Sequence, residues 1–237
     1  MPIRDELIER AVRQLAAAFA KLLASRHGAS VTNAEVVQTR AQLDEIYRQF
    51  VGTSAALVGR LSTDDLLRVL GSAGYVDGER AYLLSALLET EAELSDAAGS
   101  AGSTQDAQTL RARALDLALE AGIEELGEPD LVERVEGLEG QLPVEDRTPA
   151  TWERLVWFWR SQERWSKAED AVFAWLDEVE AGAAGGHALR DVSEKLYGHL
   201  ENLDDALLER GGLPRDELTE SRDELAARLG GVGSAGP

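Results

Sequence analysis

Apolar residues recur along nearly the whole chain at the three-and-four spacing of one helix face, and no stretch alternates as a half-buried strand would. The first such stripe is Ile3, Leu7, Ile8, Val12, Leu15, Phe19, Leu22 and Leu23, predicting a helix from about Ile3 to Ala24. A second follows Asn33, a good N-cap residue, and carries Val36, Val37, Leu43, Ile46, Tyr47 and Phe50, with Gly52 closing it. Ser62-Thr63-Asp64-Asp65 resembles a capping box with Asp in place of Glu, opening a short helix through Leu70. Asp77 caps a longer helix carrying Tyr82, Leu83, Leu87 and Leu94. Helices are then expected at about Gln105–Glu125 and Asp130–Gln141, followed by a turn containing Pro143 and Pro149. Later patterns predict a helix from about Ala188, a short one over Leu203–Glu209 stopped by Gly211-Gly212, and a last one from Pro214 to Leu229.

These elements give an all-α fold of antiparallel helical hairpins, a tetratricopeptide-like α-α array with no significant β-sheet. The small-residue run AAGSAGST is the expected domain boundary. On that basis residues 1–97 form an N-terminal helical region, 98–104 a linker, 105–229 a C-terminal tetratricopeptide-like region and 230–237 a tail.

The segment Trp152 to Glu178 is the most distinctive, because it gathers Trp152, Trp157, Trp159, Trp165 and Trp175 into two short amphipathic helices and a tight turn. With Trp152 at position four of a tetratricopeptide unit, Leu155 meets the consensus leucine, Trp159 an aromatic, Trp165 the turn aromatic, and Ala168 the small residue where the helices touch. Val156, Val172, Trp175 and Glu180 depart from the pattern, and Ala114, Ala118 and Ala121 give only a weak second echo. Two imperfect units fall short of the three or so that make a solenoid. Beyond this hairpin, MPIRDELIERAVRQLAAAFAKLL, RWSKAEDAVFAWLDE and GGLPRDEL resemble a bacterial family of uncharacterised helical proteins, a domain of unknown function. The resemblance implies an all-helical, tetratricopeptide-like fold and brings no reaction, ligand or catalytic residue.

Composition narrows the function classes. With 44 acidic against 24 basic residues the net charge is −20, which disfavours phosphate backbones and argues against nucleic-acid binding. Residues 1–30 hold five basic against three acidic side chains, too small a surplus to change that. Only three basic residues are lysines, and the arginine, alanine and glycine bias fits a GC-rich genome ahead of salt adaptation. There is no cysteine, and no apolar run approaches a membrane span. A cytoplasmic location is therefore expected, with no cofactor.

Candidate chemistry is sparse. His27, His187 and His199 stand alone, without metal-ligand spacing. Asp64-Asp65 and Asp204-Asp205 sit at helix starts, where carboxylates favour the positive end of the helix dipole. On the Trp-rich helix, Trp152, Leu155, Val156 and Trp159 share one face, while Trp157 and Phe158 point away. Trp157, Phe158 and Arg160 are thus the candidate partner-binding residues, an aromatic surface beside an arginine suited to a protein or peptide. The expectation is a non-enzymatic scaffold or adaptor that binds in a groove between helical hairpins. The alternatives are an all-helical enzyme with dispersed carboxylates and arginines, and a protein lying on a membrane surface through its first helix.

Overall fold

The computed structural model describes residues 33–72, 75–98, 103–123 and 130–232. The helix expected over Ile3–Ala24, and with it the membrane-surface reading, lies outside the described residues. The described chain is all-α, with eleven α-helices: α1 Asn33–Ile46, α2 Ala55–Val58, α3 Thr63–Leu70, α4 Gly78–Ala98, α5 Ser103–Ile123, α6 Leu131–Gln141, α7 Pro149–Ser161, α8 Trp165–Glu180, α9 Gly186–Leu200, α10 Asp205–Arg210 and α11 Arg215–Val232. The one extended pairing among the described residues is β1, Gly71–Ser72, antiparallel to β2, Tyr75–Val76.

The chain forms two compact units, residues 1–142 and 143–237. The boundary expected at 98–104 does not fall there, because α4 and α5 on either side of it pack along their lengths. Small side chains explain that pairing. Ala81, Ala92, Ala107, Ala114, Ala118 and Ala121 are fully buried and let the helices approach, with Leu84, Leu87, Leu88, Leu115 and Leu119 filling the remaining space. The buried Ser85 hydroxyl donates to the Ala114 carbonyl across the pair at 2.7 Å. Ion pairs Arg111–Asp96 and Arg134–Glu89 tie α5 and α6 to α4, and Arg134 also sits 5.1 Å over the Tyr82 ring.

Local capping follows the sequence closely. α1 runs on through a π-helical turn, Tyr47–Val51, and Gly52 closes it with its N–H on the Tyr47 carbonyl. Val37, assigned to the buried stripe of α1 by its spacing, is instead 68% exposed, whereas Leu43 and Tyr47 are buried. Ser62 accepts from the Asp65 N–H, and its hydroxyl donates to the Asp65 carboxylate at 2.7 Å. The shorter aspartate thus meets the cap side chain, where a glutamate in a capping box would meet the cap backbone. Asp204 caps α10 through the Leu207 N–H at 2.8 Å. Pro149, expected in a turn, occupies the first turn of α7, with Thr148 capping at 3.1 Å from the Thr151 N–H. A proline there loses no helical hydrogen bond.

In the second unit, α7 and α8 pack together across a short turn as a pair of helices, a helical hairpin. Its turn, Gln162 to Arg164, has Glu163 at φ 54° and the Arg164 N–H on the Trp159 carbonyl. Trp152, Leu155, Val156, Trp159, Ala168, Val172 and Trp175 are all buried between the helices or against their neighbours. Three arginines outside this core donate to carbonyls of other elements. Arg113 reaches Gly59 at 3.3 Å, Arg190 reaches Leu229 at 3.1 Å, and Arg215 reaches Glu201 at 3.2 Å and also Leu203.

Candidate functional site

Of the three residues proposed from sequence, two reach the surface together and one does not. Phe158 has no exposed surface and packs edge-on to Trp159, with ring centroids 4.8 Å apart. The helical wheel places it opposite Trp152, but α7 is covered on both sides, so Phe158 belongs to the core and leaves the candidate site. Trp157 is the one tryptophan that stays partly exposed, since the other four are at most 5% exposed. Its indole N–H donates to Glu153 at 3.3 Å, and the Arg160 guanidinium lies 5.2 Å from its ring centre. Trp157 and Arg160 thus form a cation–π pair on one face of α7, held by the i,i+3 spacing of a helix.

Other cations stack on the same hairpin. Lys167 is 4.4 Å and Arg164 5.8 Å from the Trp159 ring centre, and Arg147 lies 4.8 Å from that of Trp152. In a chain of net charge −20, this places positive groups around the α7–α8 hairpin. His199, near the end of α9, contacts Trp165 edge-on at 5.8 Å. Its partial burial and the positive charge of Arg160 hold its pKa below the usual value.

A second feature was not legible as a motif. α9 and α11 enclose a groove of about 340 Å³, lined by Arg190, Tyr197, Gly198, Glu201, Arg222, Leu225 and Leu229 among others. The sequence predicts a helix from Pro214 to Leu229, and nothing in it places that helix beside Gly198. Beneath the groove the Tyr197 hydroxyl donates to the buried Glu169 carboxylate at 2.9 Å. Burial raises the Glu169 pKa, opposed by the hydrogen bonds from Tyr197 and Ser221.

The first unit holds a perturbed acid, Glu91. Burial pushes the Glu91 carboxyl up to about 7, with Arg40 lowering it and Asp44 raising it in smaller measure. Tyr47 stands near it, fully buried, with a hydroxyl that has no hydrogen-bond partner among the described residues and a pKa raised by burial and by Glu91. Among the described residues no three His, Asp or Glu side chains gather where they could hold a metal ion. None of the described helices is long and apolar enough to cross a membrane.

No protein-family model matches the chain, and searches of curated proteins and of solved structures found no significant match.

Proposed function

We propose that the protein is a helical adaptor, binding a protein or peptide partner through the α7 face that carries Trp157 and Arg160. The observation that carries this reading is the partly exposed indole of Trp157 with a guanidinium stacked on it. Tryptophan and arginine are enriched among the residues that dominate the energetics of protein contacts, tryptophan through its large rigid surface and arginine through its planar charged fork. The pair is also pre-organised by the helix and by Glu153, so little ordering remains to be done on binding.

The hairpin supports the same reading. We take α7 and α8 as one tetratricopeptide-like unit, in which Trp157 and Arg160 fall on the first-helix face that lines the concave side of such repeats.

The test is affinity purification from the native host with the wild-type chain, Trp157→Ala and Arg160→Ala, each checked for an unchanged thermal melt. A contact of this type costs about 2 kcal/mol or more when truncated, roughly a thirtyfold loss of affinity. At least one wild-type partner is expected to be lost from both variants. Retention of every partner by both would overturn the reading.

A further inference from the structure

The groove between α9 and α11 has the features of a ligand site that the adaptor reading does not use. Its floor is apolar, formed by Leu225 and Leu229 of α11 with the ring of Tyr197. Above that floor α9 has no side chain at Gly198, and a Cβ there would meet nothing within 4 Å. A glycine inside a helix costs about 1 kcal/mol relative to alanine. Here the cost brings no close approach within the fold, since no backbone or side chain occupies the space. What it leaves is room over the floor.

Charge at the two ends differs. At one end Arg222 is held by Glu201 at 2.6 Å and by Asp223 at 2.9 Å, so its charge is matched within the chain. At the other end Arg190 donates to the Leu229 carbonyl at 3.1 Å, its one hydrogen bond among the described residues. Glu194 follows one helical turn later and also lines the groove, yet no ion pair joins it to Arg190. Glutamate four residues after its cation is the weaker order of such a pair on a helix. The carbonyl thus draws the guanidinium across the groove mouth, with most of its five donors left over.

We propose that this groove binds a small carboxylate with an apolar body, the acid on Arg190 and the body over Tyr197, Gly198 and Leu225. Size sets the scale of the ligand. A cavity of about 150 Å³ takes one benzene ring, so a groove of 340 Å³ takes roughly a dozen non-hydrogen atoms. Guanidinium and carboxylate meet through paired N–H···O bonds, which a neutral amide of the same shape cannot reproduce.

The test uses 4-phenylbutyrate and its neutral counterpart 4-phenylbutyramide, titrated into the full chain and followed by chemical-shift changes. Two variants accompany the wild type. Gly198→Leu fills the groove at a position with open space, and its melt should equal or exceed that of the wild type. Arg190→Gln removes the charge and keeps a polar side chain. The acid is expected to bind the wild type about tenfold or more tightly than the amide. Arg190→Gln should reduce that ratio to near one, and Gly198→Leu should abolish binding of both compounds. Equal binding of acid and amide by the wild type would overturn the proposal, as would binding that survives Gly198→Leu or the absence of any binding at 10 mM, about the weakest affinity such a compound should show.

Discussion

Gly211 is the position where one added methyl group should cost the second unit most. It follows α10, and its carbonyl accepts the Ser166 N–H at the start of α8. A Cβ at this position would lie 1.9 Å from Cδ1, 2.3 Å from Nε1 and 2.5 Å from Cγ of Trp165. Non-bonded carbons rest at about 3.5–4.0 Å, so the indole would have to retreat by about 1.5 Å. It has little freedom to do so: Trp165 is 5% exposed, its N–H is bonded to the Leu207 carbonyl at 3.1 Å, and His199 stands against it. Overpacking of this kind costs about 1–3 kcal/mol, and loss of the indole hydrogen bond adds about 0.5–1.5 kcal/mol. Against this, an alanine at the Gly211 φ of −82° is unstrained and gains about 0.4–1 kcal/mol by restricting the unfolded chain. Because the overlap is severe, the net expectation for Gly211→Ala is a loss of about 2–4 kcal/mol. Urea unfolding followed by tryptophan fluorescence suits the measurement, since all five tryptophans lie in the second unit. Trp165→Ala removes the clashing ring, so the double variant should be more stable than the two single losses predict when added. A Gly211→Ala midpoint matching the wild type within error would refute the packing argument.

The same substitution at Gly198 should have the opposite sign, raising stability by about 0.5–1 kcal/mol in the same assay, because open space surrounds its Cβ position. Phe158→Ala should cost about 3–5 kcal/mol, the price of a fully buried aromatic, and calorimetry would show the drop in melting temperature. Asp204→Ala removes the cap of α10 and should cost about 1 kcal/mol by urea unfolding. Glu91 should govern a pH dependence in the first unit: its folded pKa of about 7 lies above the unfolded value of 4.5, so the folded state takes up the proton first. Its contribution is fully present below pH 4.5 and is lost as pH rises through 7. Glu91→Gln should therefore stabilise the chain by about 2 kcal/mol at pH 8 and make little difference at pH 4, measured by urea unfolding with far-ultraviolet circular dichroism.

Helix positions were legible because local chemistry sets them. Ser62, Asp77 and Asp204 cap within three residues of themselves, and that information is all in the sequence. The division of the chain was not. The small residues at 98–104 look like a linker in isolation, and only the alanine faces of α4 and α5, meeting across it, make them part of one unit. Phe158 was misplaced for a related reason: a helical wheel gives the angle between faces but not how many of them are covered. Trp157 and Arg160 needed only the i,i+3 rule to be paired. The α9–α11 groove lay beyond sequence reasoning, since it depends on which faces of two helices meet across an intervening short helix.

The arginines that grip carbonyls respond to salt differently from those in ion pairs. Arg111–Asp96 and Arg134–Glu89 are contacts between opposite charges, which dissolved salt screens. A backbone carbonyl carries no net charge. The grips of Arg113 on Gly59, Arg190 on Leu229 and Arg215 on Glu201 and Leu203 are therefore weakened less. As ionic strength rises, the bonds between helix sides loosen first, while the clasps at helix ends and connections hold. A lysine in place of Arg215 could keep one of its grips, but its single ammonium could not span them all.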